Sequence, residues 1–438
     1  MARNPASLAR RIAHKVLTRV YEDKAFADRA LAAALDRTQA EPRERAFATE
    51  LVYGVLRHNR HLDFYIRKYS TRRLKKIQPD ALIALRIGTY ELLFLSTPTH
   101  SAVDEAINLL QQSSKKIRGF ANGILRELSR QKQADSLPSI MDSFDNPVEA
   151  IAVENSIPTD IVERVANRRG QQATALWAAE MGKPAPFTIR FNSLKTTATK
   201  LQTILEKESI QAEINTATPY SLDLVHPGNL GDNLSFIRGE FSVQDIASQL
   251  VCHLVDPQPG DKIVDLCAAP GGKTTFLAEL SEDKASILGF DLYPGRVGLI
   301  QKGAARLGLS SIEAKTLDAT NTNLLQQKIA EWKSPAGVDR VLVDAPCSGF
   351  GTLRRNPDMR LRPSNIEELC EIQRELLTSA DTILKPGGFL VYSVCTFSQE
   401  ESTDRIADYL NKYPNYEVVA IESPFVKPFK TDCTELFN

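Results

Sequence analysis

The stretch Asp265-Leu266-Cys267-Ala268-Ala269-Pro270-Gly271-Gly272-Lys273-Thr274-Thr275 decides the fold of the second half of this chain. An apolar run, Lys262–Leu266, leads into it, and a helical segment, Phe276–Ser281, follows it. Small residues and glycines let the backbone approach a ligand closely, and a helix N-terminus presents free N–H groups. The stretch therefore predicts a strand, a tight turn that faces a ligand, and a helix.

Similar apolar runs recur further along the chain, with helical segments between them. The five runs are Lys262–Leu266, Ser286–Phe290, Ile312–Leu317, Val338–Val343 and Gly388–Val394. This alternation predicts a doubly wound, mostly parallel α/β sheet within residues 246–438. Ligands of such sheets bind at the carboxyl ends of the strands, so we expect the chemistry in the residues that end these runs.

The Gly272-Lys273-Thr274 triplet also invites comparison with a P-loop. A Walker A motif has a glycine five positions before its final Gly-Lys pair, and Cys267 occupies that position here. A P-loop ATPase is therefore the weaker interpretation of the turn.

Aspartates stand where three further runs end. Asp291 suits a ribose diol, because one carboxylate can accept hydrogen bonds from both hydroxyls. Asp318 can accept from an adenine amino group, and Asp344 ends the fourth run. Each aspartate alone is equally well explained as a helix N-cap. Their recurrence at successive strand ends favours a nucleoside-type cofactor.

The first half of the chain divides into three parts. Residues 7–132 show the apolar spacing of helices, and Pro79 stands where one of them would begin. Residues 133–149 are mostly polar and predict a linker. Residues 150–245 predict a small α+β domain. The elements expected in it include the helix Thr159–Arg168 and the strands Phe187–Asn192 and Phe241–Val243.

Charge is distributed unevenly along a chain whose formal net charge is zero. Residues 1–132 hold 25 Lys and Arg against 13 Asp and Glu, a net charge of +12 that the remaining residues balance. A basic domain on an acidic remainder indicates a nucleic-acid-facing module. The alternative is a solvated helical surface that happens to be basic.

Cysteine usage and hydropathy indicate the compartment. The six cysteines include no C-x-x-C pair, so neither a zinc cluster nor a disulfide scaffold is expected, and a reducing cytoplasmic setting fits better. No apolar stretch is long enough for a membrane span, and the N-terminus has no apolar segment typical of a signal peptide. We therefore expect no metal and no membrane association.

Two cysteines stand apart from the others. Cys347 lies in Asp344-Ala345-Pro346-Cys347-Ser348-Gly349 and Cys395 in Tyr392-Ser393-Val394-Cys395-Thr396, each just after a predicted strand. A lone cysteine is more often a small buried hydrophobe, which is our interpretation of the other four. They are Cys252, Cys267, Cys370 and Cys433.

Thiols in this setting suit methylation of a pyrimidine carbon. C5 of cytosine is a poor nucleophile until a thiolate adds to C6, and a nearby acid must then hydrogen-bond or protonate N3. After methyl transfer a base removes the C5 proton and the thiol is eliminated. Asp344, Cys347 and Cys395 supply these parts.

At this point the chain resembles a known family, the Sun-type (Fmu) RNA 5-methylcytosine methyltransferases. The N-terminal stretch Glu44–Val55 also resembles a NusB-like RNA-binding domain, so the resemblance covers nearly the whole chain. The motifs that carry it are Asp265–Thr274, Asp344–Gly349, Arg354-Arg355-Asn356-Pro357-Asp358 and Tyr392–Thr396, with Arg190–Lys195 and Phe241–Ser248 upstream.

The resemblance implies a fold, a cofactor and a substrate. It implies an all-α NusB-like domain, a small α+β domain and a Rossmann-like class I methyltransferase domain. It further implies S-adenosyl-L-methionine as cofactor, 16S ribosomal RNA as substrate, and a monomer. The residues that would line the cofactor are Cys267, Ala268, Ala269, Pro270, Gly271, Gly272, Lys273, Asp291, Asp318 and Asp344.

The resemblance also assigns the two cysteines. Cys395 would be the nucleophile, and Cys347 would assist release of the methylated product. The rival assignment makes Cys347 the nucleophile, as in DNA cytosine methyltransferases with a Pro-Cys motif. Other open alternatives are a different RNA substrate, such as transfer RNA, and a non-catalytic RNA-binding assembly factor.

The chain departs from the family pattern at three places. Ile246 stands where an acid usually follows Gln-Asp, and Ser402 stands where an asparagine often follows the paired glutamates. Towards the C-terminus, Tyr416–Ile421 can supply one strand of the usual terminal hairpin, whereas the second strand is expected to be short or missing.

Overall fold

The computed structural model describes residues 6–225, 227–332, 334, 336–362, 364–421 and 423–426. These residues form two compact units. The helical unit comprises residues 6–185 and 350–362, and the sheet unit comprises residues 186–349 and those from 364 onward. The chain therefore leaves the sheet unit after Gly349 and returns to it about a dozen residues later.

The helical unit is built from amphipathic helices around two apolar clusters. Its short 3-10 helices are Leu74–Lys76, Met141–Ser143, Phe350–Thr352 and Pro357–Leu361. Its α-helices are α1 (Leu8–Glu22), α2 (Ala27–Asp36), α3 (Pro42–Arg57), α4 (Asn59–Tyr69), α5 (Pro79–Phe94), α6 (Thr99–Asn108), α7 (Lys115–Gln133), α8 (Pro147–Glu154) and α9 (Thr159–Met181).

Proline and apolar spacing explain where these helices lie. Pro79 begins α5 as predicted, because its fixed φ and missing N–H suit the first helical position. The predicted helix Thr159–Arg168 is confirmed but continues to Met181, with a backbone kink at Gly170. In the segment predicted as a linker, Ile140 is buried and packs into one of the apolar clusters.

Residues 350–362 belong to the helical unit through their own hydrogen bonds. The buried Arg360 guanidinium donates from Nη1 to the carbonyl oxygens of Arg57 and Asn155, both at 2.7 Å. The Ala27 amide donates to Asp358 Oδ2 at 3.4 Å. Burial, and then the nearby Arg57, lowers the pKa of Arg360 to about 9. The segment that directly follows Gly349 is thus anchored among helices.

The sheet unit begins with a small antiparallel sheet. Its strand order is β2-β3-β1-β4, and the predicted strands at Phe187 and Phe241 are confirmed as β1 and β4. The elements are β1 (Phe187–Phe191), α10 (Ala198–Lys207), β2 (Gln211–Asn215), β3 (Ser221–Val225), α11 (Leu234–Ile237) and β4 (Phe241–Val243).

A five-stranded sheet follows, with the strand order β7-β6-β5-β8-β9 and parallel pairing throughout. Its three central strands, β6, β5 and β8, are mostly buried apolar runs, as expected where helices cover both faces of a sheet. All five predicted strands are confirmed. The elements are α12 (Ile246–Val255), β5 (Lys262–Asp265), α13 (Gly272–Leu280), β6 (Ser286–Asp291), α14 (Pro294–Leu307), β7 (Ile312–Thr316), α15 (Thr322–Glu331), β8 (Val338–Asp344), α16 (Ile366–Asp381), β9 (Leu384–Ser393) and α17 (Thr403–Lys412).

The prediction of a strand near the C-terminus is wrong for the residues that the structure describes. Tyr416–Ile421 is described and forms no strand, because its backbone pairs with no other described strand. Cys433 and the expected final strand lie outside the described residues. Among the residues that the structure describes, no helix is both long and apolar enough to cross a bilayer.

Candidate active site

The carboxyl ends of the parallel strands bring the candidate residues to one edge of the five-stranded sheet. Asp265 ends β5, Asp291 ends β6 and Asp344 ends β8. Asp344 is the register partner of Ser393, which ends β9 two residues before Cys395. Because parallel strands share this edge, the acids and both cysteines approach one another as the sequence predicted.

The glycine turn is shaped by a left-handed residue. Gly271 has φ +103°, and a Cβ at this position would lie 3.1 Å from the Cα of Ile300. Only glycine fits this backbone angle and close approach without strain. Helix α13 begins at the next residue, and no side-chain cap accepts from its first N–H groups.

A buried arginine from the small sheet holds the start of that helix. Arg190 on β1 donates from Nη1 to the Gly272 carbonyl at 2.9 Å and from Nη2 to Glu279 Oε1 at 2.7 Å. Both side chains are fully enclosed, and the guanidinium lies 4.5 Å from the Phe276 ring centroid. In the sequence Arg190 is recognisable only as part of a motif, and no feature of the sequence indicates Glu279.

Asp265 lies inside the protein behind the turn. Its carboxyl accepts from Thr274 Oγ1 at 2.7 Å and from the Cys267 amide at 3.3 Å. Burial outweighs both hydrogen bonds and raises the pKa of Asp265 to about 7. The Asp265 carboxyl therefore stabilises the glycine turn from inside the protein.

The Asp291 carboxylate is held in place by two contacts. It is nearly buried, and its Oδ1 accepts from the Tyr293 amide at 3.0 Å. Arg296 Nη2 lies 3.4 Å from Oδ2 and also donates to the Ala269 carbonyl at 2.9 Å. Arg296, which sequence reasoning missed, thus ties the glycine turn to the aspartate.

Asp318 lies further from the sheet edge than expected. Strand β7 ends at Thr316, so Asp318 follows the strand rather than ending it. Its side chain is exposed, and Oδ1 accepts from the Thr320 amide at 3.0 Å and hydroxyl at 2.6 Å. The carboxylate is therefore oriented by a local turn.

Lys273 and Asp344 form an ion pair beside the cysteines. Their Nζ and Oδ2 atoms lie 2.6 Å apart, and both side chains are largely buried. Burial lowers the pKa of Lys273, but the Asp344 carboxylate outweighs this effect and raises the pKa above its ordinary value. The ammonium group therefore fixes the direction of the Asp344 side chain.

The two cysteine thiols are in contact. Their Sγ atoms lie 3.3 Å apart, and the Cys395 backbone N–H donates to Cys347 Sγ at 3.3 Å. The hydrogen bond between the two thiols lowers the pKa of Cys395 and raises the pKa of Cys347. Cys395 is thus the better thiolate of the pair, and it is exposed.

The remaining described cysteines lack this setting. Burial raises the pKa of Cys252 to about 12, and burial followed by nearby carboxylates also raises the pKa of Cys267. Cys370 is buried as well, and burial raises its pKa. Two buried groups next to the Cys347 loop, Glu401 and Gln373, escaped notice because each lies in a helical or polar segment that has no motif of its own.

Family models match three parts of the chain. Residues 7–130 match the NusB family, residues 157–231 match a ferredoxin-like domain of RsmF/B-like methyltransferases, and residues 252–434 match 16S rRNA methyltransferase RsmB/F. The helical first domain, the small antiparallel sheet and the parallel sheet agree with these matches. The predicted fold class is therefore confirmed.

Individual relatives agree over most of the chain. Probable ribosomal RNA small subunit methyltransferase B of Bacillus subtilis is 32% identical over 431 residues, which are 97% of this chain and 93% of the relative. The crystal structure of PH0851 superposes with a TM-score of 0.78 at 26% identity and covers 96% of this chain and 94% of its own. A methyltransferase homolog protein from Pyrococcus horikoshii gives a TM-score of 0.52 at 26% identity and covers 66% of this chain and 89% of its own. On this likeness in sequence and fold, the chain belongs to the RsmB/F family of 16S rRNA methyltransferases.

Proposed function

We propose that this protein transfers a methyl group from S-adenosyl-L-methionine to C5 of a cytosine in 16S ribosomal RNA through a covalent bond between Cys395 and C6. The contact between the Cys395 and Cys347 thiols, 3.3 Å apart beside Asp344, is the observation that carries the proposal. Family membership supports methyl transfer, and the pair of thiols supports the covalent chemistry on a pyrimidine.

The residues at the sheet edge fit the cofactor. The uncapped start of α13 and the glycine turn suit the amino-acid end of the molecule, and the shielded Asp291 carboxylate suits the ribose diol. We assign the exposed Asp318 to the adenine amino group. When bound, the cofactor supplies an electrophilic methyl group. The chain's own residues orient it towards Asp344 and Cys395.

Cys395 begins the reaction in this proposal. Its thiolate, favoured by the hydrogen bond from Cys347, adds to C6 and makes C5 nucleophilic. Negative charge then develops at N3, and the Lys273–Asp344 pair supplies the proton, which passes from the Lys273 ammonium to the Asp344 carboxylate and from Asp344 to that nitrogen. We assign Cys395 rather than Cys347 as the nucleophile because the contact lowers the pKa of Cys395 and because Cys395 is the more exposed of the two.

Product release breaks the bond between the Cys395 sulfur and C6. A base takes the C5 proton, the electron pair of that C–H bond forms the C5–C6 double bond, and the pair of the C6–S bond returns to the Cys395 sulfur. We assign Cys347 to this step, because its sulfur is in contact with that of Cys395.

A basic surface on the helical unit supports an RNA substrate. We use this name for the exposed residues Arg67 and Lys68, in the last turn of α4, and Arg72, Arg73, Lys75 and Lys76, between α4 and α5. Arg72 lies 4.9 Å from the ring centroid of Phe120 on α7, which begins with the exposed Lys115 and Lys116. Such a surface attracts phosphates without reading sequence. The target cytosine must be unstacked to reach a thiol.

Methyl transfer to defined RNAs tests the proposal. The purified protein is incubated with labelled S-adenosyl-L-methionine and with small-subunit ribosomal RNA or transfer RNA, and the product nucleoside is identified. We expect 5-methylcytosine in the ribosomal RNA. Methylation of transfer RNA alone would favour the alternative substrate, and binding of RNA without methyl transfer would favour a non-catalytic assembly factor.

A further inference from the structure

The loop that carries Cys347, residues 345–349, is held on both sides of the thiol. The Ser348 amide donates to Glu401 Oε1 at 2.8 Å, and the Ser348 hydroxyl donates to Glu401 Oε2 at 2.5 Å. Gln373 Nε2 donates to the Pro346 carbonyl at 2.9 Å. Because Cys347 stands between Pro346 and Ser348, these contacts fix the peptide groups that flank it.

Glu401 is fully enclosed where it makes these contacts, with 0% of its surface exposed. Gln373 Nε2 also reaches its Oε1 atom at 3.2 Å, and the Tyr392 hydroxyl donates to its backbone carbonyl at 2.7 Å. Burying a carboxylate is costly unless its oxygens accept hydrogen bonds. Both oxygens of the Glu401 carboxylate accept hydrogen bonds, and every donor to them lies on the Cys347 loop or beside it.

The same carboxylate reaches the loop of the second cysteine through one hydroxyl. The Ser348 and Thr396 hydroxyl oxygens lie 2.8 Å apart, and Thr396 directly follows Cys395. Since the Ser348 hydroxyl donates to Glu401, the Thr396 hydroxyl must donate to Ser348. Glu401 therefore directs a chain of hydrogen bonds that joins both cysteine loops.

We infer that Glu401 is a positioning residue for Cys347 in product release, an inference that rests on the proposed function. Glu401 lies behind the loop and acts by holding the Cys347 sulfur beside that of Cys395. When the C5 proton leaves and the C6–S bond breaks, a displaced Cys347 cannot assist. Loss of Glu401 should therefore slow release more than attack.

The Glu401→Gln variant tests this inference with little change in volume. Its amide group turns one acceptor into a donor that faces the Ser348 donors. With small-subunit ribosomal RNA and S-adenosyl-L-methionine, turnover should fall about tenfold or more, equivalent to roughly 1.4 kcal/mol or more in the barrier. The fraction of protein bound covalently to RNA on denaturing gels should rise severalfold. The cofactor dissociation constant should change less than about twofold, because none of the described contacts of Glu401 is with the glycine turn.

Two further variants complete the test: a second substitution in the same hydrogen-bond chain and a matched control. Ser348→Ala removes only the hydroxyl and should shift the covalent fraction in the same direction by less, even if Glu401→Gln folds poorly. Asp408→Asn is the matched control, since Asp408 is exposed on α17 and pairs with Arg405. It should behave as the wild type.

The Cys347→Ala variant distinguishes a failure of the inference about Glu401 from a failure of the release role proposed for Cys347. If Cys347→Ala accumulates the covalent species, adding Glu401→Gln to it should slow release no further, because both act on one step. If the two substitutions slow product release independently and additively, the inference is overturned. It is also overturned if Glu401→Gln and Ser348→Ala both lose turnover without accumulating the covalent species. If Cys347→Ala itself releases product at the wild-type rate, the release role assigned to Cys347 is wrong, and the inference is overturned with it.

Discussion

The Cys347 and Cys395 thiols are hydrogen-bonded to each other, with 3.3 Å between the two Sγ atoms. The parallel register of β8 and β9 makes this contact possible, because Asp344 and Ser393 are paired at the strand ends just before the cysteines. The contact distinguishes the two sulfurs, because it lowers the pKa of Cys395 and raises the pKa of Cys347. It also makes the reactivity of one cysteine depend on the presence of the other.

Removing Cys347 should therefore raise the pKa of Cys395. The hydrogen bond with Cys347 lowers this pKa, so Cys347→Ala loses the main cause of the shift. The pH at which iodoacetamide reacts half-maximally with Cys395 should move upward in the variant. Measuring the alkylation rate against pH by mass spectrometry of the Cys395 peptide checks this. An unchanged midpoint would show that the hydrogen bond does not control the thiolate.

The Lys273–Asp344 ion pair should matter for the chemical step. Asp344→Asn keeps the shape of the side chain but removes its charge, so it can neither pair with the Lys273 ammonium nor protonate N3. Loss of a general acid typically costs about 10²–10⁴-fold in rate. Single-turnover methyl transfer should fall within this range. Asp318→Asn, at an exposed site further from the cysteines, should affect the cofactor dissociation constant more than the single-turnover rate.

Asp265 should make stability depend on pH. Its pKa of about 7 in the folded protein exceeds the unfolded value of about 3.9, so the folded state binds the proton more tightly. This stabilisation is complete below about pH 4 and is lost as the pH rises through about 7. From pH 5 to pH 8 the loss amounts to about 2–3 kcal/mol.

The Asp265→Asn variant isolates that effect. Asparagine does not titrate, so the unfolding free energy of wild type minus variant should decline from pH 5 to pH 8. Denaturant unfolding at several pH values, followed on the sheet unit by local fluorescence labels, measures this difference. A difference that is constant with pH would contradict a buried carboxyl that takes up a proton.

Replacing only one residue of the Arg190–Glu279 ion pair should lower the free energy of unfolding strongly. Arg190→Met leaves the Glu279 carboxylate buried without its cation, which typically costs about 3–5 kcal/mol. The double variant Arg190→Met/Glu279→Met should recover much of the loss, because no buried charge then remains. Unfolding midpoints of the single and double variants test this, and equal destabilisation of both would refute the explanation. Cofactor binding should weaken in both, since the Gly272 carbonyl loses its donor.

The basic surface should account for part of the salt dependence of RNA binding. Replacing Lys75 and Lys76 by glutamine removes two exposed positive charges without touching the sheet unit. Each lost phosphate contact should reduce the slope of log affinity against log salt by about 0.7–0.9. Filter binding of small-subunit ribosomal RNA at several salt concentrations measures the slope. Glutamine substitutions at Lys200 and Lys207, on α10 of the sheet unit, serve as the control, and an equal change there would argue against a specific surface.

The sequence predicts the sheet and its edge well, and the reason is physical. Buried parallel strands are mostly apolar, so Lys262–Asp265 and Val338–Asp344 stand out, and each of them ends on an aspartate at the edge of the sheet. Long-range partners leave no such pattern. Arg190 and Glu279 are far apart in sequence, and nothing in either segment indicates that they pair. Glu401 was likewise visible only as one of two adjacent glutamates until its contact with Ser348 was known.

Covalent capture of RNA by the two cysteine variants tests the central claim most directly. Wild type, Cys395→Ala and Cys347→Ala are incubated with small-subunit ribosomal RNA and S-adenosyl-L-methionine, and the products are resolved on a denaturing gel. We predict a stable RNA–protein species with Cys347→Ala, and neither this species nor 5-methylcytosine with Cys395→Ala, although both variants bind the cofactor. Full methylation by Cys395→Ala, or a covalent species that requires Cys347 instead, would contradict the account.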